Sequence, residues 1–261
     1  MCGRYTLIHP TTDILQRFGL TQIKIEGLPV EIEPRANIAP SQLVPAVVNH
    51  GFGKEQFRML DALRWGFLPM WVKDIKKSPP MINARAETLA EKAYFKGALR
   101  SRRCIIPADS FYEWDGQGKA RRPYRFQFKD QRLFGMAGLY EEWSSPTGGD
   151  IVTCCIVTVA ANRLLSRFHD RMPAILDPED EARWLDSDVD SFEAQLMLKS
   201  HDPYDMDCYP VSPELNKATA SGLHLVDFYD EAEAQADMQA KKPTKNRGQK
   251  SDENPDQLKL F

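Results

Sequence analysis

Residues 103–139 read RCIIPADSFYEWDGQGKARRPYRFQFKDQRLFGMAGL, and residues 151–160 read IVTCCIVTVA. The first stretch divides into four short runs rich in aromatic and aliphatic side chains, at 103–107, 110–115, 123–129 and 132–139, separated by Gly- or Asp-containing turns. Such runs between turn residues predict strands. The second stretch is apolar almost throughout and predicts the longest buried strand of the chain. Outward from this strand-rich middle, residues 3–8 form a first strand. A short helix follows, capped by Thr11 or Thr12, with Ile14, Leu15 and Phe18 on one face and Gly19 as its stop. PRANIAP, between Pro34 and Pro40, reads as a loop, and 43–49 with 57–64 as a hairpin through HGFG. A Pro- and Trp-rich loop covers 65–80, and helical spacing covers 87–99, 178–185 and 191–199. Strands dominate the middle while the helices are few and peripheral. The expected fold class is therefore α+β, one compact domain over residues 1–229 on a curved, mostly antiparallel β-sheet.

Beyond that domain the composition changes. Residues 231–256 hold almost no large apolar side chains and cannot bury enough surface to offset the entropy of ordering them, so 230–261 is expected to be a disordered tail. It ends in QLKLF, where Gln257, Leu258, Leu260 and Phe261 have no core to join; a partner's pocket is their expected destination.

Several function classes are disfavoured at once. No apolar run is long enough to span a bilayer, and MCGRYTLIHP lacks the features of a secretory signal, so a cytoplasmic location is expected. Five cysteines in 261 residues do not make a disulfide scaffold. Cys154 and Cys155 are adjacent on a predicted strand and point to opposite faces. Cys104 lies in another apolar run and Cys208 is isolated. Without a Cys-x-x-Cys pair, no zinc site and no cofactor are expected. A net charge of −3 argues against binding nucleic acid through bulk positive charge. Residues 61–125, however, carry 14 Lys/Arg against 7 Asp/Glu, a local excess able to present either a phosphate-binding surface or ordinary solvated charge.

Cys2 stands apart. Once Met1 is removed, its α-amine and thiol form a 1,2-aminothiol, with reference pKa values near ~8 and ~8.5. An aldehyde condenses with the amine, and the thiol closes a five-membered thiazolidine. An internal cysteine has an amide nitrogen and cannot do this. Glu113, on an alternating strand with Phe111, Tyr112 and Trp114, shares the Phe111 face. Among aromatics its carboxyl would be desolvated and able to act as acid and base; an exposed glutamate paired with a nearby arginine is the alternative. His169 lies in a loop beside Asp170, which could orient it. Asn83 and Arg85, one residue apart on an extended segment, point the same way, suited to a sugar oxygen and a phosphate.

Six blocks, MCGRYTL at 1–7, RANIAP at 35–40, RWGFLPMW at 64–71, INARAET at 82–88, RCIIPADSFYEW at 103–114 and HDRMPAIL at 169–176, occur in the order found in the SOS-response-associated peptidase family of abasic-site processing proteins, which the chain resembles over most of residues 1–220. The resemblance implies a compact α+β fold with a basic cleft for single-stranded DNA. It implies that Cys2 forms a thiazolidine crosslink with the ring-opened abasic aldehyde. Asn83 is then the residue that positions amine and sugar, Glu113 the acid/base that opens the sugar, and His169 the group that stabilises the opened form and takes part in reversal. Arg4 and Arg85 match phosphate contacts, and Pro40, Trp65 and Trp71 lie in blocks lining the DNA path. QLKLF resembles peptides that dock on the bacterial sliding clamp, which would bring a monomer to replication forks. Two other readings remain open: a cysteine peptidase or N-terminal-nucleophile hydrolase using Cys2, and a non-catalytic DNA- or clamp-binding module.

Overall fold

The computed structural model describes residues 2–20, 32–50, 57–75, 78–116, 121–144, 148–230 and Ala232. Met1–Phe228 forms one compact unit and Tyr229–Phe261 a second. Apart from Asp230 and Ala232, the expected tail, with Gln257, Leu258, Leu260 and Phe261, lies outside the described residues.

Twelve strands are found among the described residues. In chain order they are β1 (Tyr5–Leu7), β2 (Arg35–Ile38), β3 (Leu43–His50), β4 (Phe57–Trp65), β5 (Asn83–Arg85), β6 (Arg103–Ala108), β7 (Ser110–Asp115), β8 (Arg122–Phe128), β9 (Phe134–Ser144), β10 (Asp150–Ala160), β11 (Arg171–Pro173) and β12 (Met206–Pro210). The α-helices are α1 (Thr11–Phe18), α2 (Ala93–Ser101), α3 (Pro178–Leu185) and α4 (Ser191–Leu196). The α+β class holds, and nearly all pairings are antiparallel.

The single curved sheet expected from the sequence is in fact two sheets. One is antiparallel, in the order β12-β8-β7-β1-β2. In the other, β10, β4, β3, β6 and β9 pair in turn and β9 returns to β10, so the sheet closes into a small barrel. Closure leaves those strands no free edge. It also demands close packing where β9 turns inward: a Cβ on Gly138 would lie 2.8 Å from the Cys104 sulfur and 3.2 Å from the Cys155 carbonyl oxygen.

β10 is the seam. One edge pairs with β9 over Asp150–Ile156 and then with β11 over Thr158–Ala160. The other edge pairs in parallel with β4 at Thr153–Cys154 and then with β5 at Ile156–Thr158. The smaller sheet is covered on both faces. Phe111 and Phe126 join the main core, whereas Tyr112 packs with Ala36, Val211, Leu215 and Leu225 on the opposite side. Alternation along β7 therefore sends Glu113 to the main-core side.

Four local expectations are corrected. PRANIAP is not a loop throughout: Arg35–Ile38 pair with β1, and the two prolines bracket the strand, where their missing N–H costs no ladder bond. Neither Thr11 nor Thr12 caps α1. Pro10 occupies the cap, and the Thr11 hydroxyl accepts instead from the Ile32 amide at 2.7 Å. The helix expected over 87–99 begins only at Ala93, because Ala86–Thr88 is a 3-10 turn whose Glu87 is committed to Arg171 and Leu89 is anchored in the core. The helix expected over 191–199 stops at Leu196.

Gly138→Ala should destabilise the protein by about 1–3 kcal/mol through overpacking of the barrel wall. Urea unfolding followed by tryptophan fluorescence measures this as a lower midpoint; an unchanged midpoint would mean the wall can relax.

Candidate functional site

The site is assembled from chain segments far apart in sequence. Cys2 is fully buried in the chain that still carries Met1, and its thiol lies 3.7 Å from the Arg4 carbonyl oxygen. The Asn83 amide donates to the Cys2 carbonyl at 2.9 Å. Asn83 is held by β5, whose register against β10 places Asn83 opposite Ile156 and Arg85 opposite Thr158. Ala84 between them is buried, so Asn83 and Arg85 share one face, as alternation predicts.

Glu113 is only 5% exposed. Burial pushes its carboxyl up to about 7. Its charge in turn acts on Cys2, whose thiol is raised above its ordinary value, by burial first and by Glu113 second. The two groups are thus electrostatic neighbours across the β1–β7 region. A network outside the sequence reading fixes this region. Thr6 bonds to Asp109 and Ser110, and Arg125 donates to the Ser110 hydroxyl at 2.7 Å and to the Tyr209 hydroxyl at 2.7 Å. β1, β7, β8 and β12 are thereby locked together beside Glu113.

His169 follows a 3-10 turn at Leu165–Arg167. The preceding Phe168 packs against Tyr124 (ring centroids 4.7 Å apart) and Phe126 (5.1 Å). Tyr124 is the cross-strand partner of Glu113. This aromatic cluster, tilted and edge-on, connects the histidine loop to the strand paired with the one that carries the carboxyl. The ring nitrogen Nδ1 accepts from the Arg171 amide at 2.9 Å and also lies 2.8 Å from an Asp170 carboxylate oxygen. The Asp170 contact favours a proton on Nδ1, whereas the backbone-fixed amide hydrogen calls for a lone pair there, as in the neutral ring protonated on Nε2. Burial, which lowers the histidine's pKa, favours the same neutral form, and the Asp170 carboxylate is largely solvated.

Arg171 escaped the sequence reading. It donates to both Glu87 carboxylate oxygens at 2.8 Å and to the Thr158 carbonyl at 2.5 Å. These bonds hold Glu87 below the usual carboxylate range and tie the histidine loop to the segment after Arg85. No spacing rule links residues 84 apart; only their adjacency to INARAET and HDRMP could have drawn attention to them.

The expected DNA-path residues divide. Arg85 is exposed, Pro40 half-buried, and Trp71 is 64% exposed beside the equally exposed Met70. Trp65 cannot stack on a base. It is fully buried, donates its indole N–H to the Ile82 carbonyl at 2.9 Å and packs edge-on against Tyr5 at 5.4 Å. Its role is to support the strand entering Asn83. Arg4 is largely buried and donates to the Asn37 side chain and the Leu215 carbonyl. Part of the basic excess in 61–125 is structural, since Arg103 and Arg125 are buried and held by carbonyl, hydroxyl and carboxylate groups. Among the described residues, no group of three or more His, Cys, Asp or Glu could hold a metal ion, and no helix is long and apolar enough to cross a membrane.

A carboxyl near 7 in the folded chain, against 4.5 for the free group, makes the native state prefer the protonated form. Stability from this group is complete below about 4.5 and is lost as pH rises through 7. Glu113→Gln should therefore stabilise the protein at pH 8 by up to a few kcal/mol. The gain should vanish below pH 4.5. Urea unfolding from pH 4 to 8.5 tests this, and a pH-independent difference would contradict the buried carboxyl.

Comparison with known proteins identifies the family and the fold. Residues 1–218 match the family model described as SOS response associated peptidase (SRAP). The chain is 43% identical over 231 residues to the abasic site processing protein YoqW of Bacillus subtilis, covering 88% of this chain and 100% of that one. It is 42% identical to YoaM of the same organism, over 87% of this chain and 98% of that one. It is 32% identical to the abasic site processing protein HMCES of Xenopus tropicalis, over 71% and 63%. A crystal structure from Bacteroides thetaiotaomicron superimposes with a TM-score of 0.78 at 26% identity, covering 88% of this chain and all of that one. With the family model spanning most of its length, the chain belongs to the SOS response associated peptidase family.

Proposed function

We propose that this protein processes abasic sites in single-stranded DNA by forming a covalent crosslink through Cys2 after loss of Met1. The observation that carries the reading is the convergence of Cys2, held by the Asn83 amide, with the buried carboxyl of Glu113, which burial pushes up to about 7. Such a group gives and takes protons with nearly equal ease at neutral pH. An abasic sugar rests mostly as a closed hemiacetal. Glu113 would remove the hemiacetal hydroxyl proton and return a proton to the ring oxygen, unmasking the C1′ aldehyde. The free amine of Cys2 then adds to C1′, water leaves, and the sulfur attacks the imine carbon while its proton passes to the nitrogen. The product is a thiazolidine.

Asn83, bonded to the Cys2 carbonyl, would hold the aminothiol in register with the sugar. The Nε2–H of neutral His169 would donate to the opened sugar's hydroxyl, and the reverse transfer would assist reversal. Arg85 and Arg4 would take phosphates, and Trp71 with Pro40 would line the strand. The names of the curated relatives, abasic site processing proteins, support this substrate class. QLKLF would bring the protein to the sliding clamp at replication forks, shielding a lesion from strand scission.

The family description names a peptidase, the second reading. The exposed Arg85, on one face with Asn83, and the exposed Trp71 favour the nucleic-acid reading, because a peptidase gains little from either.

With a single-stranded oligonucleotide bearing one abasic site, the wild type should give a heat-stable adduct on a denaturing gel and Cys2→Ala none. Glu113→Gln should slow the adduct by ~10²–10⁴-fold. An adduct of normal yield from Cys2→Ala would refute the mechanism, and cleavage of peptides with no aldehyde preference would favour the peptidase.

A further inference from the structure

The outer face of β7 carries a feature that the covalent chemistry does not use. Trp114 is half-buried, with its indole N–H fixed on the Asn216 side chain at 2.7 Å. Two guanidinium groups lie over the same ring, Arg121 at 5.1 Å and Arg4 at 5.8 Å from its centroid. The two cations repel one another: Arg4 is held below its ordinary range by burial first and by Arg121 second. The hydrogen bonds of Arg4 go to neutral acceptors, the Asn37 amide oxygen at 2.6 Å and the Leu215 carbonyl at 3.0 Å. Glu214, next in the chain to the Leu215 that Arg4 bonds, contacts His224 at 3.2 Å.

A fold that keeps two like charges on one indole, one of them largely desolvated, carries an electrostatic cost. An anion between or beside them removes that cost, and the ring fixes the planar guanidinium groups for bidentate contact. Trp114 is also the immediate neighbour of Glu113, so this pair sits one residue from the reacting carboxyl but on the opposite face of the strand.

We propose that Arg121, supported by Trp114 and paired with Arg4, is a phosphodiester-binding subsite for the DNA strand flanking the crosslinked nucleotide. The subsite rests on the DNA-binding part of the proposed function but not on the thiazolidine chemistry. Its assignment extends the path onto the β7–β8 hairpin, beyond Arg85 and Trp71. Arg121 is exposed and therefore replaceable without disturbing the core.

The test uses the full-length protein and an intact single-stranded oligonucleotide without an abasic site, so that no covalent step enters. Affinity is measured by fluorescence anisotropy across a salt series. Arg121→Ala should weaken binding several-fold at low salt and reduce the slope of log K against log salt by about 0.7, the loss of one phosphate contact on a single strand. Arg121→Lys, which keeps the charge, should restore most of that slope. Arg183→Ala, removing an exposed arginine of α3 that pairs with Asp180, should leave the slope unchanged. A wild-type slope in Arg121→Ala, or equal losses in Arg121→Ala and Arg183→Ala, would overturn the subsite. In either case a Cys2-dependent adduct on an abasic strand would show that the covalent reading stands without it. Absence of that adduct with a reduced Arg121→Ala slope would leave the subsite standing alone.

Discussion

Every backbone N–H and C=O of a buried strand must find a partner, and β10 meets that demand by serving four neighbours in succession. Its first half closes the barrel through β9 and β4. Its second half, with those partners exhausted, recruits β5 and β11. That change of partners delivers Asn83 and Arg85 from one side, and the strand immediately after His169 from the other. The ion pair between Arg171 and Glu87 then clamps the two recruited segments together. Asn83, Arg85 and the histidine loop, separated by scores of residues, thus owe their meeting to one strand's hydrogen-bonding requirement.

The second sheet supplies the other half of the site by a different device. β7 is covered on both faces, so a charged residue on it must either escape or be desolvated. Glu113 is desolvated, and the cost of burying its charge appears as a pKa near 7. The Thr6–Asp109–Ser110–Arg125 cluster keeps the strand from relaxing. On the opposite face, Trp114 and its two arginines present the reverse case, positive charge lacking a carboxylate among the bonds of Arg4. One strand therefore carries a desolvated carboxyl on one face and two guanidinium groups over Trp114 on the other.

Much of this was legible in the residues themselves. Alternation in SFYEWD correctly put Glu113 with Phe111, and alternation in NAR put Asn83 with Arg85, because period-two geometry is local. Gly19 ends α1 with φ 63°, the left-handed conformation its lack of a Cβ permits. What was not legible depended on distant partners. Barrel closure is a matter of which strand meets β10, and nothing within IVTCCIVTVA encodes that choice. Only the family block it lies in puts Trp65 on the DNA path, yet Tyr5 and the Ile82 carbonyl draw it inward. Arg35–Ile38 looked like a loop because prolines flank it, although flanking prolines leave a strand's own ladder intact. Arg171 was read only as part of a block, since its significance lies in Glu87.

The central claim is that amine and thiol of the same residue, freed at the chain's start, are both consumed by the abasic aldehyde. Peptide mass spectrometry of the purified adduct tests it most directly, after digestion of the DNA and treatment with a thiol-alkylating reagent. The account predicts an N-terminal peptide that begins at Cys2, carries the sugar remnant and takes up no alkyl group. A sugar-bearing peptide that still retains Met1, or whose Cys2 thiol is alkylated, would contradict it.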